Sequence, residues 1–582
     1  MTSSNDITRP NINGQVCFTL LSDGKEAPCL QHVVSIATSC EFQKIGAAEI
    51  VLENMPLPDE TDSIAETDLF LIGKEIEVKA GYEEPSNSLF KGVIVKQTLS
   101  YNQRKAQVIV TAMHKAYKMT LDRHFHSFEN MSDKDIIEEL CGNYGLTTDI
   151  DNTPVTHEKL IQYNCTDWDF INMRAEANGW LLFTSAEGIT AKKPNLNTKP
   201  TLDVIAGESI EELNTEMDGR YAFDTYSAKA WNYTSQETDQ ISEKGSQFDT
   251  PQGDIDSGKL SSMSDNSTHN IVAMSQQENP DALEAWIKAM VMRHNLSRIV
   301  GKISITGHAP MQPSDFIKLE GIGRHFNGTT LVSSVFHSIS QGEWKTLLNI
   351  GFGRNLFVNK YNDIIEAPAM GLMPAVNGLQ IAKVEALEGD PLSEERIYIR
   401  LMNDENTKLW ARIASLDAGN QRGSFFMPEI DDEVVVGFID GNPNQAVVLG
   451  MLHSSQATSP YELTDDNNIK GFVTREKIII EFDDEKKTLK FATPGGNTIL
   501  ISDDKKGISF EDQNGNTIVM NDQGVTIESK KALTLKATQD VNIEGTNINI
   551  KANAQLKATG NASAEISASG NTVVKGAIVQ IN

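Results

Sequence analysis

The sequence predicts a mainly β protein, with α-helix confined to its first half and a C-terminal needle that folds only against other chains. Three observations lead there: a short strand rhythm in the last hundred or so residues, five strands crowded into the segment before it, and a longer mixed region in front.

The tail from about residue 471 to 582 alternates short strand-like runs with polar turns, and no run is long or apolar enough to bury a core of its own. The runs at 525–527 (VTI), 533–535 (LTL), 541–543 (VNI), 548–550 (INI) and 556–558 (LKA) alternate apolar with polar residues, as a half-buried strand does. They restart after eight, eight, seven and eight residues. A fixed short period with one inward face per course is the pattern of a β-helix or β-prism, each course stabilised by stacking on the next. One chain supplies one narrow apolar face per course, so two or three identical chains are expected to close the prism. Just upstream, 496–511 (GNTILISDDKKGISFE) recurs as 515–528 (GNTIVMNDQGVTIE), each copy reading strand, tight turn, strand. The turn glycines supply positive φ without a Cβ clash.

Composition sets the outer bounds. At 582 residues the chain is too long for one domain. A net charge of -29 argues against nucleic acid and anionic membrane as partners, because phosphate affinity comes from clustered Lys and Arg. The five cysteines, Cys17, Cys29, Cys40, Cys141 and Cys165, are odd in number and form no CxxC pair, which fits reduced thiols better than a disulfide framework. The sequence opens with no basic stretch followed by an apolar one, and no apolar run is long enough to span a bilayer. Export, if it occurs, is expected to proceed without a signal peptide.

Before the needle, residues 371–455 read as a compact β domain, followed by a linker at 456–470. The runs 379–386, 396–401, 409–414, 433–440 and 445–451 each read as strands bounded by Gly, Asp, Asn and Pro turns, which suits a small barrel of the OB type. Within it, 423–450 (GSFFMPEIDDEVVVGFIDGNPNQAVVLG) resembles the OB-domain signature of VgrG spike proteins and of the hub-spike proteins of contractile phage tails, GxxFxPxxGDEVxVxFxxGDPxxPxVxG. Two positions depart from it: Asp432 stands where Gly is usual and Asn442 where Asp is usual. Both residue types tolerate turn geometry.

Residues 1–370 resemble the hub or base domain of the same family. The stretch 132–145 (SDKDIIEELCGNYG) predicts a helix with a capping Ser132 and Ile136, Ile137 and Leu140 on one face. The stretch 167–179 (DWDFINMRAEANG) predicts a second helix, capped by Asp167 and ended by Gly179, and resembles the ESDxxFxxRLxExxG segment of the VgrG base. Two Phe-x-Gly segments, at 90–92 and 326–328, each open a hairpin that turns at 101–105 and 340–343 and returns over 106–112 and 345–351. They are read as a duplicated β-barrel unit. Three chains with two copies each would present six similar units, which in the resembled family lets a threefold spike sit on a sixfold Hcp-like tube. Residues 233–280, rich in Ser, Gln, Asp and Gly, read as a polar surface loop or arm. A helix over 281–294 then resumes, with Leu283, Trp286, Ile287 and Met290 on one face.

Catalytic motifs are missing: there is no phosphate-binding GxxxxGKS or GxxxxGKT, no HExxH and no GxSxG. His124 and His126 could present two imidazoles on one face of a strand, as a metal pair requires, but no third ligand follows at useful spacing. No enzyme activity, metal or cofactor is therefore expected. The gap at 456–470 is too short for the lysozyme domain that some phage spikes carry, and no toxin domain of the kind some VgrG proteins carry after the needle is expected.

The resemblance implies a homotrimeric spike of a contractile injection machine such as a type VI secretion system, assembled in the cytoplasm and then secreted through the machine. It implies an Hcp-like tube and baseplate at the N-terminal base, a PAAR-repeat tip protein at Ile578, Val579, Gln580, Ile581 and Asn582, effectors or adaptors as cargo, and only transient contact with a target membrane. The spike of an extracellular contractile particle or phage tail fits the same residues. A trimeric adhesin or polysaccharide-binding tail fibre also uses β prisms, and would need an anchor or a carboxylate-lined cleft.

Overall fold

The computed structural model describes residues 14–55, 63–102, 105–186, 188–274, 279–404 and 406–581. It divides into two compact units, one of residues 1–379 with 437–447, the other of 380–436 with 448–582.

The first unit is built on a 13-stranded sheet. Its strands follow the two-residue period: in Glu75–Tyr82 the buried residues Ile76, Val78 and Ala80 alternate with half-buried ones, and in Lys105–Met113 so do Val108, Val110 and Ala112. These side chains meet Ile50, Leu52 and Ile94 in one core, while Ile303, Ile305, Leu319, Val332 and Leu348 form a second. Both expected hairpins are present, Asn87–Asn102 with Lys105–Met113 and Gly328–Ser340 with Glu343–Ile350. They do not stand in separate barrels. The strand Val33–Glu41 pairs antiparallel with Gly328–Ser340 and joins the halves into one sheet, so neither half is left with an unpaired edge there. The two Phe-x-Gly glycines serve different ends. A Cβ at Gly92 would lie 2.4 Å from the Met113 carbonyl oxygen, whereas Gly328 sits at φ +118° and faces the Pro251 carbonyl.

Among the described residues four α-helices accompany the sheet. α1 (Asp133–Gly142) is capped by Ser132, whose hydroxyl accepts from the Asp135 amide while the Asp135 carboxylate accepts from the Ser132 amide. α2 (Asp167–Ala177) is capped by Thr166, which corrects the expectation that Asp167 caps it: Asp167 is the first helical residue and is buried. Arg174 of α2 reaches Asp133 of α1 with two nitrogens, at 2.6 and 3.0 Å, and Asn178 donates to the same carboxylate. Burial works against the charge, but His157, Arg174 and Asn178 together hold Asp133 well below the usual carboxylate range. Ile136, Ile137, Leu140, Trp168, Phe170 and Ile171 pack the two helices into one core.

The stretch expected as a polar loop, 233–280, is ordered over its described residues. It carries the strands Glu237–Lys244 and Thr268–Met274, which flank Thr225–Asn232 in a three-stranded sheet, and α3 (Ser257–Met263) between them. α4 (Pro280–Leu296) covers that sheet, packing Leu283, Ile287 and Val291 on Tyr226, Ala228 and Ala230. A borrowed helix face supplies the apolar surface that the stretch itself lacks.

From residue 380 on, five strands, Gln380–Ala386, Ile397–Leu401, Lys408–Ile413, Glu433–Phe438 and Ala446–Met451, close a barrel. Ala382, Val384, Ile397, Ile399, Ala411, Val434, Val436 and Val448 are buried along these strands. The two departures from the family signature are turn ligands: the Asp432 carboxylate accepts from the Glu429 amide at 2.8 Å, and the Asn442 side-chain oxygen from the Asn444 amide at 2.9 Å.

Candidate functional site

From Ile469 to Glu528 the chain runs back and forth as seven five-residue antiparallel strands. Their register is set so that Phe472, Ile480, Phe491, Ile499, Phe510, Ile518 and Ile527 stand directly opposite one another from strand to strand. A second row, Phe482, Leu489, Ile501, Ile508, Met520 and Val525, runs beside it two residues along each strand, and so on the same face. The row between them, on the opposite face, is mixed: Glu481, Lys490, Leu500, Ser509, Val519 and Thr526. The sheet is thus far more apolar on one side, and none of the apolar side chains in the two rows on that side is buried. Phe491 is 39 % exposed, Ile499 38 % and Ile527 51 %. Of these residues, Ile480, Phe491, Ile499, Phe510, Ile518 and Ile527 line an open groove of about 690 Å³.

The turns explain why the register holds. Gly496, Gly515 and Gly524 take positive φ, as the repeat predicts. Asp512 accepts from the Asn516 side chain and from the Asn514 and Asn516 amides, and these bonds hold its carboxyl down to about 2. The acid pair at 483–484 is turn chemistry as well: the Asp483 carboxylate accepts from the Lys486 amide.

After Glu528 no described residue lies in a regular strand, so of the five expected runs only 525–527 forms one within a single chain. Leu535 is 68 % exposed, Ile543 63 % and Ile581 92 %. Strand pairing here needs donors and acceptors that the described residues do not supply. At the end, Ile578, Val579, Gln580 and Ile581 are all exposed, and Asn582 lies outside the described residues.

The five cysteines are free thiols, and burial pushes Cys40 and Cys141 up to about 12. His124 and His126 stand on the strand Arg123–Ser132, and a third group, Asp167, lies against them. Its sequence distance hid it. Among the described residues no helix is long and apolar enough to cross a membrane.

Comparison with known proteins matches three segments. Residues 13–341, more than half of the chain, match the Alg8 N-terminal domain. Residues 380–453 match the type VI secretion system/phage-baseplate injector OB domain, and residues 488–582 the phage baseplate V C-terminal trimerisation domain. The type VI secretion system spike protein VgrG1b of Pseudomonas aeruginosa is 22 % identical over 467 residues, which cover 73 % of this chain and 59 % of that protein. VgrG3 of Vibrio cholerae, another such spike protein, is 31 % identical over 101 residues, covering 16 % of this chain and 10 % of its own length. The chain therefore spans about three fifths or less of these curated relatives. A type VI secretion component of Escherichia coli shares 15 % identity, covers 74 % of this chain and 99 % of its own, and has a TM-score of 0.37.

Proposed function

Because the chain belongs to the family of the Alg8 N-terminal domain and to the VgrG-like spike proteins of type VI secretion systems and phage baseplates, we propose that it works as the homotrimeric spike of a contractile injection machine. The observation that carries this reading is the uncovered apolar face of the tail, which coincides with the segment matched by a trimerisation domain. Three such faces turned inward would bury rows of Ile, Phe and Leu along a common axis, each fully buried side chain contributing about 1.5–3 kcal/mol. The resulting shaft has no hinge, and it transmits force along its length without buckling.

The role is mechanical in this reading. The base seats on an Hcp-like tube and baseplate, the shaft leads through the target membrane, and Ile578 to Asn582 receive a conical PAAR-repeat tip, whose strands cover backbone groups left unpaired at the needle's end. Effectors travel on the tip. Assembly takes place in the cytoplasm and release through the machine.

Electron microscopy of the purified chain tests the proposal: particles with a broad base and one thin shaft are expected, and isolated globular particles would contradict it. Removing residues after 571 should abolish binding of a PAAR-repeat protein in pull-down while the trimer persists. Undiminished binding would move the tip contact elsewhere.

A further inference from the structure

His124 and His126 lie two residues apart on the strand Arg123–Ser132, and so on the same face of it. Their rings stand 5.7 Å apart. The strand pairs with Thr156–Thr166, and the chain turns from that partner strand directly into α2. Asp167, the first residue of the helix, is thereby set beneath the two imidazoles. Each of the three residues offers a nitrogen or oxygen within 4.8 Å of those of the other two.

The carboxylate is buried and already oriented. Asp167 Oδ1 lies 2.9 Å from His124 Nδ1 and accepts from Gln162 Nε2 at 2.8 Å, and Oδ2 accepts from the Tyr144 hydroxyl at 2.7 Å. Outer hydrogen bonds of this kind fix the ligands of metal sites and raise their affinity. A further polar atom is unspent: Gln162 is fully buried, and its side-chain oxygen has no hydrogen-bond partner.

We propose that His124, His126 and Asp167 bind a divalent transition-metal cation of the zinc class. Two imidazoles and one carboxylate are a ligand set that zinc accepts, with open positions left for water. Two ligands on one tetrahedral zinc lie about 3.3 Å apart, so the His124–Asp167 pair is within a few tenths of an ångström of that spacing as it stands. His126 is exposed and turns to close the remainder. Bound there, the ion ties the strand to the start of a helix whose first residue is 43 positions away from His124, and so clamps the base. The competing use of the same residues is a plain ion pair between His124 and Asp167, which needs neither His126 nor a metal.

The test uses the full chain, purified in chelator and then freed of it, titrated with cobalt(II) by visible absorption and with zinc(II) by competition. One ion per chain is expected, with the intense absorption of low-coordinate cobalt. His126→Ala replaces an exposed side chain and should leave the fold intact while weakening binding by about 100-fold or more; Tyr144→Phe, which removes an outer hydrogen bond, should weaken it by about 10-fold. Zinc should raise the unfolding temperature of the parent chain and not that of His126→Ala. Absence of saturable binding, or binding that persists at the same affinity in His126→Ala, would overturn the proposal and leave the ion pair as the role of these residues.

Discussion

The base and the needle use the same alternation of apolar and polar residues, but only one of them closes on itself. In the base, Ile76, Val78, Val108 and Val110 are covered by other strands of the same chain. In the needle, Phe491, Ile499, Phe510 and Ile518 stand in equally regular register, and the described residues leave each of them exposed. Local pattern sets strand and register in both cases; whether the face is buried depends on sequence-distant elements that the base has and the tail lacks. In the proposed trimer the base folds within one chain, while the folding of the needle depends on concentration.

The sharpest way to break this contrast is to polarise the needle's inner face. The double substitution Leu535→Asp and Ile543→Asp changes residues that are exposed in the single chain, yet it should abolish the trimer by gel filtration while the near-ultraviolet circular dichroism of the base stays unchanged. In a trimer each site is present three times, and each copy forfeits about 1.5–3 kcal/mol besides the burial of a charge. A truncation in the base core gives the reverse result. Phe316→Ala, at a side chain 1 % exposed, should destabilise the base by about 3–5 kcal/mol at any protein concentration, as measured by denaturant unfolding.

Acid should separate the regions as well. Burial, aided by His269, Arg293 and Arg354, lowers His294 to about 4; burial, with His308 beside it, lowers His337 to about 3. Above pH 6.5 both are neutral whether the chain is folded or not. Below that, the unfolded chain binds protons that the folded base refuses, so base stability falls as pH drops from 6.5 towards 4, by roughly 3 kcal/mol for each histidine. Thermal unfolding of His337→Gln should show a shallower fall over that window. Smallest of all, Ser132→Ala removes the cap of α1 and should lower the stability of the base by about 1 kcal/mol, with no effect on trimer formation.

Local signals in the sequence carried far. The capping Ser132, the turn glycines 496, 515 and 524, the two long hairpins and the five barrel strands all stand where residue type and spacing put them, because each depends on neighbours a few residues away. What stayed hidden depends on distant partners. The strand Glu237–Lys244 has one apolar residue, Ile241, and reads as loop until α4 and Thr225–Asn232 are placed on it. The joining of two presumed barrels through Val33–Glu41 rests on pairing across roughly three hundred residues. Asp167 read as a helix cap, because nothing in its neighbourhood points to two histidines on another strand.

In the proposed spike the tail of one chain is one third of a structure. Light scattering or sedimentation equilibrium on the full chain at micromolar concentration should give a mass close to three times 64.0 kDa, and a monodisperse species of one chain mass, with the tail intact, would contradict it.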